Sequence, residues 1–436
     1  MSSRSSLPPP DAAHVAARSG LSPRVRHYIL VTAAYWAFTL TDGALRMLVL
    51  LHFHELGYTP VELAFLFVFY ELFGVVTNLV GGFVAARLGL RATLLGGLAL
   101  QVVALGMLAL LDPSWSKVAS VAYVMGAQAL SGIAKDLTKM SAKSAIKVLV
   151  PANAESSLFR WVAILTGSKN ALKGVGFFLG GLLLGALGFR TSLLAMAAGI
   201  LLTLVLSTAS LPRDLGKAKG KAKFRHMFSK SRAVNVLSAA RFFLFGARDI
   251  WFVVGVPVFL VTRFGWGFTE VGGFLAAWVI GYGIVQALTP RLLRRFTKGG
   301  APQGRSAAVL AFLLAIVIGG VILGLEAGYR ADLLVVIGLG LFGVVFAINS
   351  SVHSYLILAY SDGDQVTMNV GFYYMANAGG RLVGTVLSGV MYQQTGLTGC
   401  LAASAAFAAL AGLLAGFLPP TSETFAVPEG VEVGAD

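Results

Sequence analysis

The stretch WVAILTGSKNALKGVGFFLGG, residues 161–181, places Lys169 and Lys173 one helical turn apart in a run that is otherwise apolar. An ionised group in hydrocarbon costs at least about 2.5–3.5 kcal/mol on the mildest scale, so such residues face a bundle interior or a water-filled path. The same stretch has an echo. A shift of 208 positions, the separation of Gly57 and Gly265, carries Lys173 onto Arg381 and Gly181 onto Gly389. It also carries Glu62 onto Glu270, Asn78 onto Gln286, Arg87 onto Arg295 and Gly188 onto Gly396. Further charges lie at comparable depth in other apolar runs: Asp42 and Arg46, Glu71, Lys135 and Asp136, and Arg241, Arg248 and Asp249. Charged residues inside two matching apolar halves imply a membrane transport path.

The 436 residues are 57% hydrophobic and 12% charged, against about 25% charged in an ordinary soluble domain. A hydrocarbon core about 30 Å thick takes roughly 20 apolar residues per helical crossing. About twelve segments meet that measure, near 28–53, 62–84, 92–111, 117–138, 159–187, 190–211, 235–261, 270–292, 306–326, 332–359, 366–392 and 397–418. The expected fold is an all-α membrane protein of twelve transmembrane helices. Residues 28–211 and 234–418 form two six-helix bundles related by a pseudo-two-fold repeat. A Pro-, Ser- and Arg-rich N-terminal segment (1–27), a basic linker (212–233) and an acidic tail (419–436) complete the chain.

Lys and Arg concentrate in alternate loops, after the second, fourth, sixth and eighth segments, while the loop from His52 to Thr59 holds none. That bias predicts both termini, the linker and the tail on the cytoplasmic side. It also accounts for the net charge of +15, because a basic linker beside a membrane is ordinary and carries no implication of nucleic-acid binding. The first apolar stretch is too long and too interrupted for a cleaved signal, so it is expected to stay as the first helix. The lone Cys400 excludes an intrachain disulfide or a multi-thiolate metal site. With no metal-ligand cluster, nucleophile elbow or phosphate loop, neither a cofactor nor an enzymatic activity is expected.

The buried charges divide by sign and face. Asp42 and Arg46, four apart, share a helix face. Either they form a structural ion pair, or Arg46 contacts an anionic substrate while Asp42 sets its position or carries a proton. Lys169 and Lys173 repel each other at this spacing and call for an acidic partner such as Asp136 or for an anionic ligand. The ligand is favoured, with Ser168 and Asn170 as neutral donors nearby. Lys135, Lys139 and Lys143 recur every fourth residue; Lys139 and Lys143 read equally well as headgroup anchors, while Lys135 and Asp136 lie deeper. Arg248 and Asp249 point about 100° apart, so they do not face one point; Arg248 into the cavity and Asp249 towards a neighbouring helix is one consistent assignment.

Deep cations (Arg46, Lys135, Lys169, Lys173, Arg241, Arg248, Arg381) outnumber deep acids (Asp42, Glu71, Asp136, Asp249). An excess of that sign predicts a small anionic substrate, since arginine forks suit oxyanions and lysine supplies point charge. The expected substrate contacts are Arg46, Lys135, Lys169, Asn170, Lys173, Arg248, Asn377 and Arg381. The expected proton-coupling groups are Asp42, Glu71, Asp136, Asp249 and His353. A free imidazole titrates near neutral pH, although a lone intramembrane histidine is more often a hydrogen-bonded structural residue.

Two short motifs bear on gating. GGFVAARLGLR, residues 81–91, resembles the loop signature Gly-x-x-x-Asp-Arg-x-Gly-x-Arg of the major facilitator superfamily. Gly82, Arg87, Gly89 and Arg91 match and form the expected gating loop, but Ala86 stands where the family has Asp, which leaves the usual charge relay without its acid. GFFLGG, residues 176–181, is similar to the Gly-Pro-x-x-Gly-Gly motif of family antiporters, with Phe177 in place of Pro. Close helix approach explains the same glycines equally well. Parallel repeats with a site near the midplane are what carriers of this type are built from.

Four longer segments carry a more specific resemblance: YWAFTLTDGALRMLVLLHFHELGY (35–58), ALSGIAKDLTKMSAKSAIKVLVP (129–151), WVAILTGSKNALKGVGFFLGG (161–181) and SAARFFLFGARDIWFVV (238–254). They resemble the organoarsenical efflux permeases of bacterial arsenic-resistance operons, over about residues 22–418. The resemblance implies export of 1-arseno-3-phosphoglycerate across the inner membrane by a carrier expected to be a monomer and to exchange with protons. It also implies functional pairing with the glyceraldehyde-3-phosphate dehydrogenase that makes this ester from arsenate. The scarcity of Cys fits, because trivalent arsenic is held by thiolates and a pentavalent ester is not. A phosphate, organophosphate or other organic-anion carrier of the same fold is the alternative.

Overall fold

The computed structural model describes residues 23–149, 155–212, 231–296, 302–361 and 366–420. The expected N-terminal segment and tail lie mainly outside this range, as do linker residues 213–230 and, at side-chain level, Gly82 and Arg87. All secondary structure among the described residues is helical: α1 Pro23–Glu55, α2 Pro60–Leu88, α3 Leu90–Ala109, α4 Lys117–Leu149, α5 Glu155–Ser210, α6 Arg232–Phe252, α7 Gly255–Phe264, α8 Phe268–Phe296, α9 Gly304–Glu326, α10 Ala331–Ala359 and α11 Val366–Gly416. A helix satisfies its own backbone donors and acceptors, which hydrocarbon cannot do. Eight helical stretches are long and apolar enough to cross a membrane, and the chain is a multi-pass membrane protein.

Those eight compare with twelve segments read from the sequence, and the difference has two sources. The stretches in α5 and α11 are 43 and 48 residues long and each counts once, yet each is interrupted by a glycine with positive φ, Gly188 (φ 73°) and Gly396 (φ 67°). Such values are open to glycine at no steric penalty. The chain doubles back at both. Ser192 Oγ donates to the Leu183 carbonyl at 2.9 Å, whereas nine residues of straight helix would separate them by about 13 Å. Cys400 Sγ reaches the Ser388 carbonyl at 3.5 Å, against about 18 Å for twelve residues of straight helix. The second source is α1 and α4, which fall outside the eight and carry Asp42, Arg46, Lys135, Asp136 and Lys139. The expected seventh segment is also divided, at Val253 and Val254 between α6 and α7. Ser388 Oγ accepts from the amides of Val254 and Gly255, both at 3.1 Å, and so satisfies two donors freed by the break.

The 208-residue echo is visible in the backbone. Gly57 and Gly265 both adopt positive φ, as do Gly188 and Gly396. Glu62 Oε2 accepts from the Thr59 amide at 2.7 Å, and Glu270 Oε2 accepts from the Gly267 amide at the same distance, so each carboxylate caps its own helix start. The packing repeats too. α1 lies on α5 as α6 lies on α11, and α2 lies on α4 as α8 lies on α10. Between the two sets, α5 packs on α8 and α11 on α2. A Cβ at Gly181 would run into the Phe268 carbonyl, and one at Gly389 would lie 2.5 Å from the Pro60 carbonyl. These contacts are themselves 208 residues apart. They close the end of the molecule that carries the Gly57 and Gly265 turns, aided by a hydrogen bond from the Val61 amide to Gln393 Oε1 at 3.2 Å.

Overpacking a tight contact costs about 1–3 kcal/mol. Gly389→Val is therefore expected to lower the melting temperature of the purified protein by several degrees. Gly281→Ala, whose added Cβ meets nothing within 4 Å, is expected to leave it unchanged. Thermal unfolding followed by size-exclusion of the heated samples checks both.

Candidate functional site

A cavity of about 250 Å³ lies where α1, α2, α4 and α5 face α6, α8, α10 and α11. Five cations line it from the first group, Arg46, Lys135, Lys139, Lys169 and Lys173, and three from the second, Arg241, Arg248 and Arg381. Asp42 and Asp136 are the carboxylates among the lining residues. All eight expected substrate contacts line it, and the structure adds Lys139, Arg241, Gln286 and Tyr374 to that list.

Two more carboxylates stand fully buried behind the arginines. Glu71 Oε1 accepts from Arg46 Nη2 and from Arg381 Nη2, each at 2.6 Å. Asp249 accepts from Arg381 Nε at 3.1 Å and from Arg248 Nε at 2.6 Å. The result is one alternating string, Arg46–Glu71–Arg381–Asp249–Arg248, drawn from α1, α2, α11 and α6. Charges taken out of water are tolerable when paired and hydrogen-bonded in this way.

A second cluster sits on α2 and α4. Asp136 accepts from Lys139 Nζ at 2.5 Å, from Thr77 Oγ1 at 2.7 Å and from Asn78 Nδ2 at 3.3 Å. Lys139 also donates to Asn78 Oδ1 at 2.9 Å, so it is a partner of Asp136 as well as a candidate headgroup anchor.

These pairings close two alternatives that the sequence leaves open. Asp42 and Arg46 do not pair with each other: Arg46 turns to Glu71, and Asp42 accepts a hydrogen bond from the Tyr70 hydroxyl at 2.6 Å. Asp249 does face the neighbouring helix α11 while Arg248 lines the cavity, but the long Arg248 side chain also curls back onto the adjacent carboxylate. Asp136 is engaged by Lys139 and is not the partner of Lys173. His353 is fully buried, does not line the cavity, and neither ring nitrogen has a hydrogen-bond partner among the described residues. Of the loop motif, Arg91 donates to the Thr208 carbonyl at 2.9 Å, where a helix end leaves carbonyls without partners. The glycines of GFFLGG sit at close approaches, Gly176 over the Leu40 carbonyl and Gly180 over that of Ala44.

Subtracting the paired groups locates the surplus charge. Neither Lys135 nor Lys173 makes an ion pair or side-chain hydrogen bond to a described residue; Lys135 lies 3.9 Å from the centre of the Tyr70 ring and Lys173 5.6 Å from that of Phe177. Arg241 has no carboxylate partner among the described residues either. It donates to Ser350 Oγ at 3.1 Å and stacks over Phe245 at 3.9 Å. Asn170 bridges to Gln286 Oε1 at 3.1 Å across α5 and α8. Cys400 is buried and away from the cavity.

Removing one partner of a buried ion pair is expected to cost about 3–5 kcal/mol because a charge is left behind. Glu71→Gln should therefore destabilise the protein strongly, whereas Lys173→Gln, which removes an unpaired cation, should leave stability equal or raised. Melting temperatures of the two purified variants test the contrast.

No curated protein matches the chain. Among solved structures it is similar to a POT family transporter crystallised with a thioalcohol-conjugated peptide, at 16% identity and a TM-score of 0.66, over 89% of this chain and 95% of that one. At that identity the likeness is one of fold. A family model described as Major Facilitator Superfamily matches residues 29–357, three quarters of the sequence and most of the cavity wall. The chain is a membrane transporter rather than an enzyme, and it belongs to the Major Facilitator Superfamily.

Proposed function

We propose that this chain is an alternating-access carrier that exports a small organic oxyanion, in the first place 1-arseno-3-phosphoglycerate, and so confers arsenate resistance. The observation that carries the proposal is the charge of the cavity: eight lining cations against two lining carboxylates. Lys135, Lys173 and Arg241 make no ion pair with a carboxylate among the described residues. A cationic substrate would need the opposite balance. The resemblance of residues 35–58, 129–151, 161–181 and 238–254 to organoarsenical efflux permeases supplies the identity of the anion. A pentavalent ester needs no thiolate, and the lone Cys400 lies off the cavity. The same charge pattern supports a second reading, an organophosphate or phosphate exchanger.

Twelve crossings in two six-helix bundles, cytoplasmic termini, an inner-membrane location and a monomeric carrier belong to this reading. So does a partner dehydrogenase that forms the ester. Proton exchange is assigned to Asp42. It lines the cavity and is held by the Tyr70 hydroxyl with no cationic partner among the described residues. Glu71, Asp136 and Asp249 are each held by cations.

Cells expressing the chain together with a glyceraldehyde-3-phosphate dehydrogenase are expected to tolerate arsenate and to hold less arsenic than controls. No gain in tolerance, with the protein present in the membrane, removes the arsenical reading. Lys173→Ala is expected to abolish the resistance at unchanged membrane abundance. Asp42→Asn is expected to retain substrate exchange in vesicles while losing its response to an imposed proton gradient; an unchanged response would take proton coupling away from Asp42.

A further inference from the structure

Three carboxylates act on the Lys135 ammonium: Asp136 on its own helix, Glu71 on α2 and Asp42 on α1. Two of them are taken. Lys139 holds Asp136, while Arg46 and Arg381 hold Glu71. Asp42 has no cationic partner among the described residues, and its charge also reaches Lys173. It is the carboxylate left to pair with a cavity lysine, yet it pairs with neither. The Tyr70 side chain stands in the way. Its hydroxyl donates to Asp42 Oδ1 at 2.6 Å, and its ring carries the Lys135 ammonium 3.9 Å from the centre. Tyr70 is 5% exposed and does not border the cavity. The backbone fixes this arrangement. A Cβ at Gly132 would lie 2.5 Å from the Tyr70 carbonyl, so α4 presses on α2 there and Lys135, one turn on, lands over the ring. The second repeat has the ring without the charges. The 208-residue shift carries Tyr70 onto Trp278, Lys135 onto Gly343 and Asp42 onto Ile250. Trp278 packs over Gly343, where a Cβ would lie 3.0 Å from the indole, and its Nε1 donates to the Leu339 carbonyl at 2.7 Å. An aromatic ring at this place is common to both copies. The hydroxyl, the ammonium and the carboxylate belong to the first.

We propose that Tyr70 is a positioning residue for anion binding: by holding Asp42 on its hydroxyl and Lys135 on its ring, it keeps the two from neutralising each other. The inference rests on the anion-carrier reading above and adds a residue that acts from behind the cavity wall. A ring face attracts a cation through its quadrupole and supplies no counter-charge, so Lys135 keeps its positive charge for an incoming oxyanion. A hydroxyl that donates to a carboxylate satisfies it in the same way, without discharging it. The lysine stem is long and flexible, and in a site of low dielectric an ammonium and a carboxylate within reach attract strongly. Deleting the hydroxyl frees Asp42 to pair with Lys135 or with Lys173. An oxyanion must then displace a carboxylate before it binds. Phe in place of Tyr isolates this effect, because it keeps the ring under Lys135 and removes only the restraint on Asp42.

Calorimetric titration of the purified full-length chain with inorganic phosphate and with 3-phosphoglycerate tests the role. Tyr70→Phe is expected to weaken the binding of both probes about tenfold, at a melting temperature close to that of the unaltered chain. Adding Asp42→Asn to Tyr70→Phe is expected to restore binding to within about twofold of Asp42→Asn alone, because no carboxylate is left to compete. That rescue separates positioning from packing, since a defect caused by disturbed packing around the ring persists in the double variant. Unchanged affinity in Tyr70→Phe, or equally weak binding by the single and the double variant, overturns the role of Tyr70 and leaves the anion carrier standing. Failure of the unaltered chain to bind either probe overturns both readings together.

Discussion

A single buried carboxylate organises the interior. Glu71 is fully enclosed and holds two guanidiniums, Arg46 from α1 and Arg381 from α11, on one oxygen. The last pair spans 310 residues, so this contact joins the first repeat to the second at the level of the cavity. Three arginines can remain charged there only because Glu71 and Asp249 alternate with them. The alternation also fixes where the unneutralised charge resides. Beyond the string, Lys135, Lys173 and Arg241 line the cavity without an ion pair to a carboxylate among the described residues.

Much of the architecture was legible in the sequence because it is written in local terms. The positive-φ turns at Gly57 and Gly265, the caps at Glu62 and Glu270, and the reversals at Gly188 and Gly396 all lie 208 residues apart in the sequence and again in the backbone. Glycine at a left-handed turn and glutamate three residues into a helix are choices made by nearest neighbours, and they survive in both copies. The division of α6 from α7 falls inside the expected segment 235–261, where Gly255 and Pro257 follow the break and signal a weak point.

The pairing of charges was less legible, since it is decided across helices. Asp42 and Arg46 have the spacing of a local ion pair, yet a fully buried carboxylate on α2 competes for the same arginine and prevails. The Tyr70 hydroxyl then serves Asp42. Arg241 was counted among the deep cations but not among the ligand contacts. Its counterpart 208 residues earlier is Ala33, so the repeat does not mark this position. What distinguishes it from the other arginines is its partner, Ser350 in place of a carboxylate.

The two reciprocal contacts at the closed end, Gly181 on Phe268 and Gly389 on Pro60, are backbone against backbone. A glycine at each of these two points lets the neighbouring backbone come closer than any larger residue would allow. What separation gives up is dispersion and the hydrogen bond between Val61 and Gln393, both modest. The two contacts are copies of one geometry, and the Val61–Gln393 hydrogen bond stands beside the Gly389 one. Stiffness is thus concentrated at the buried carboxylates, and the glycine seam is the compliant part of the same interface.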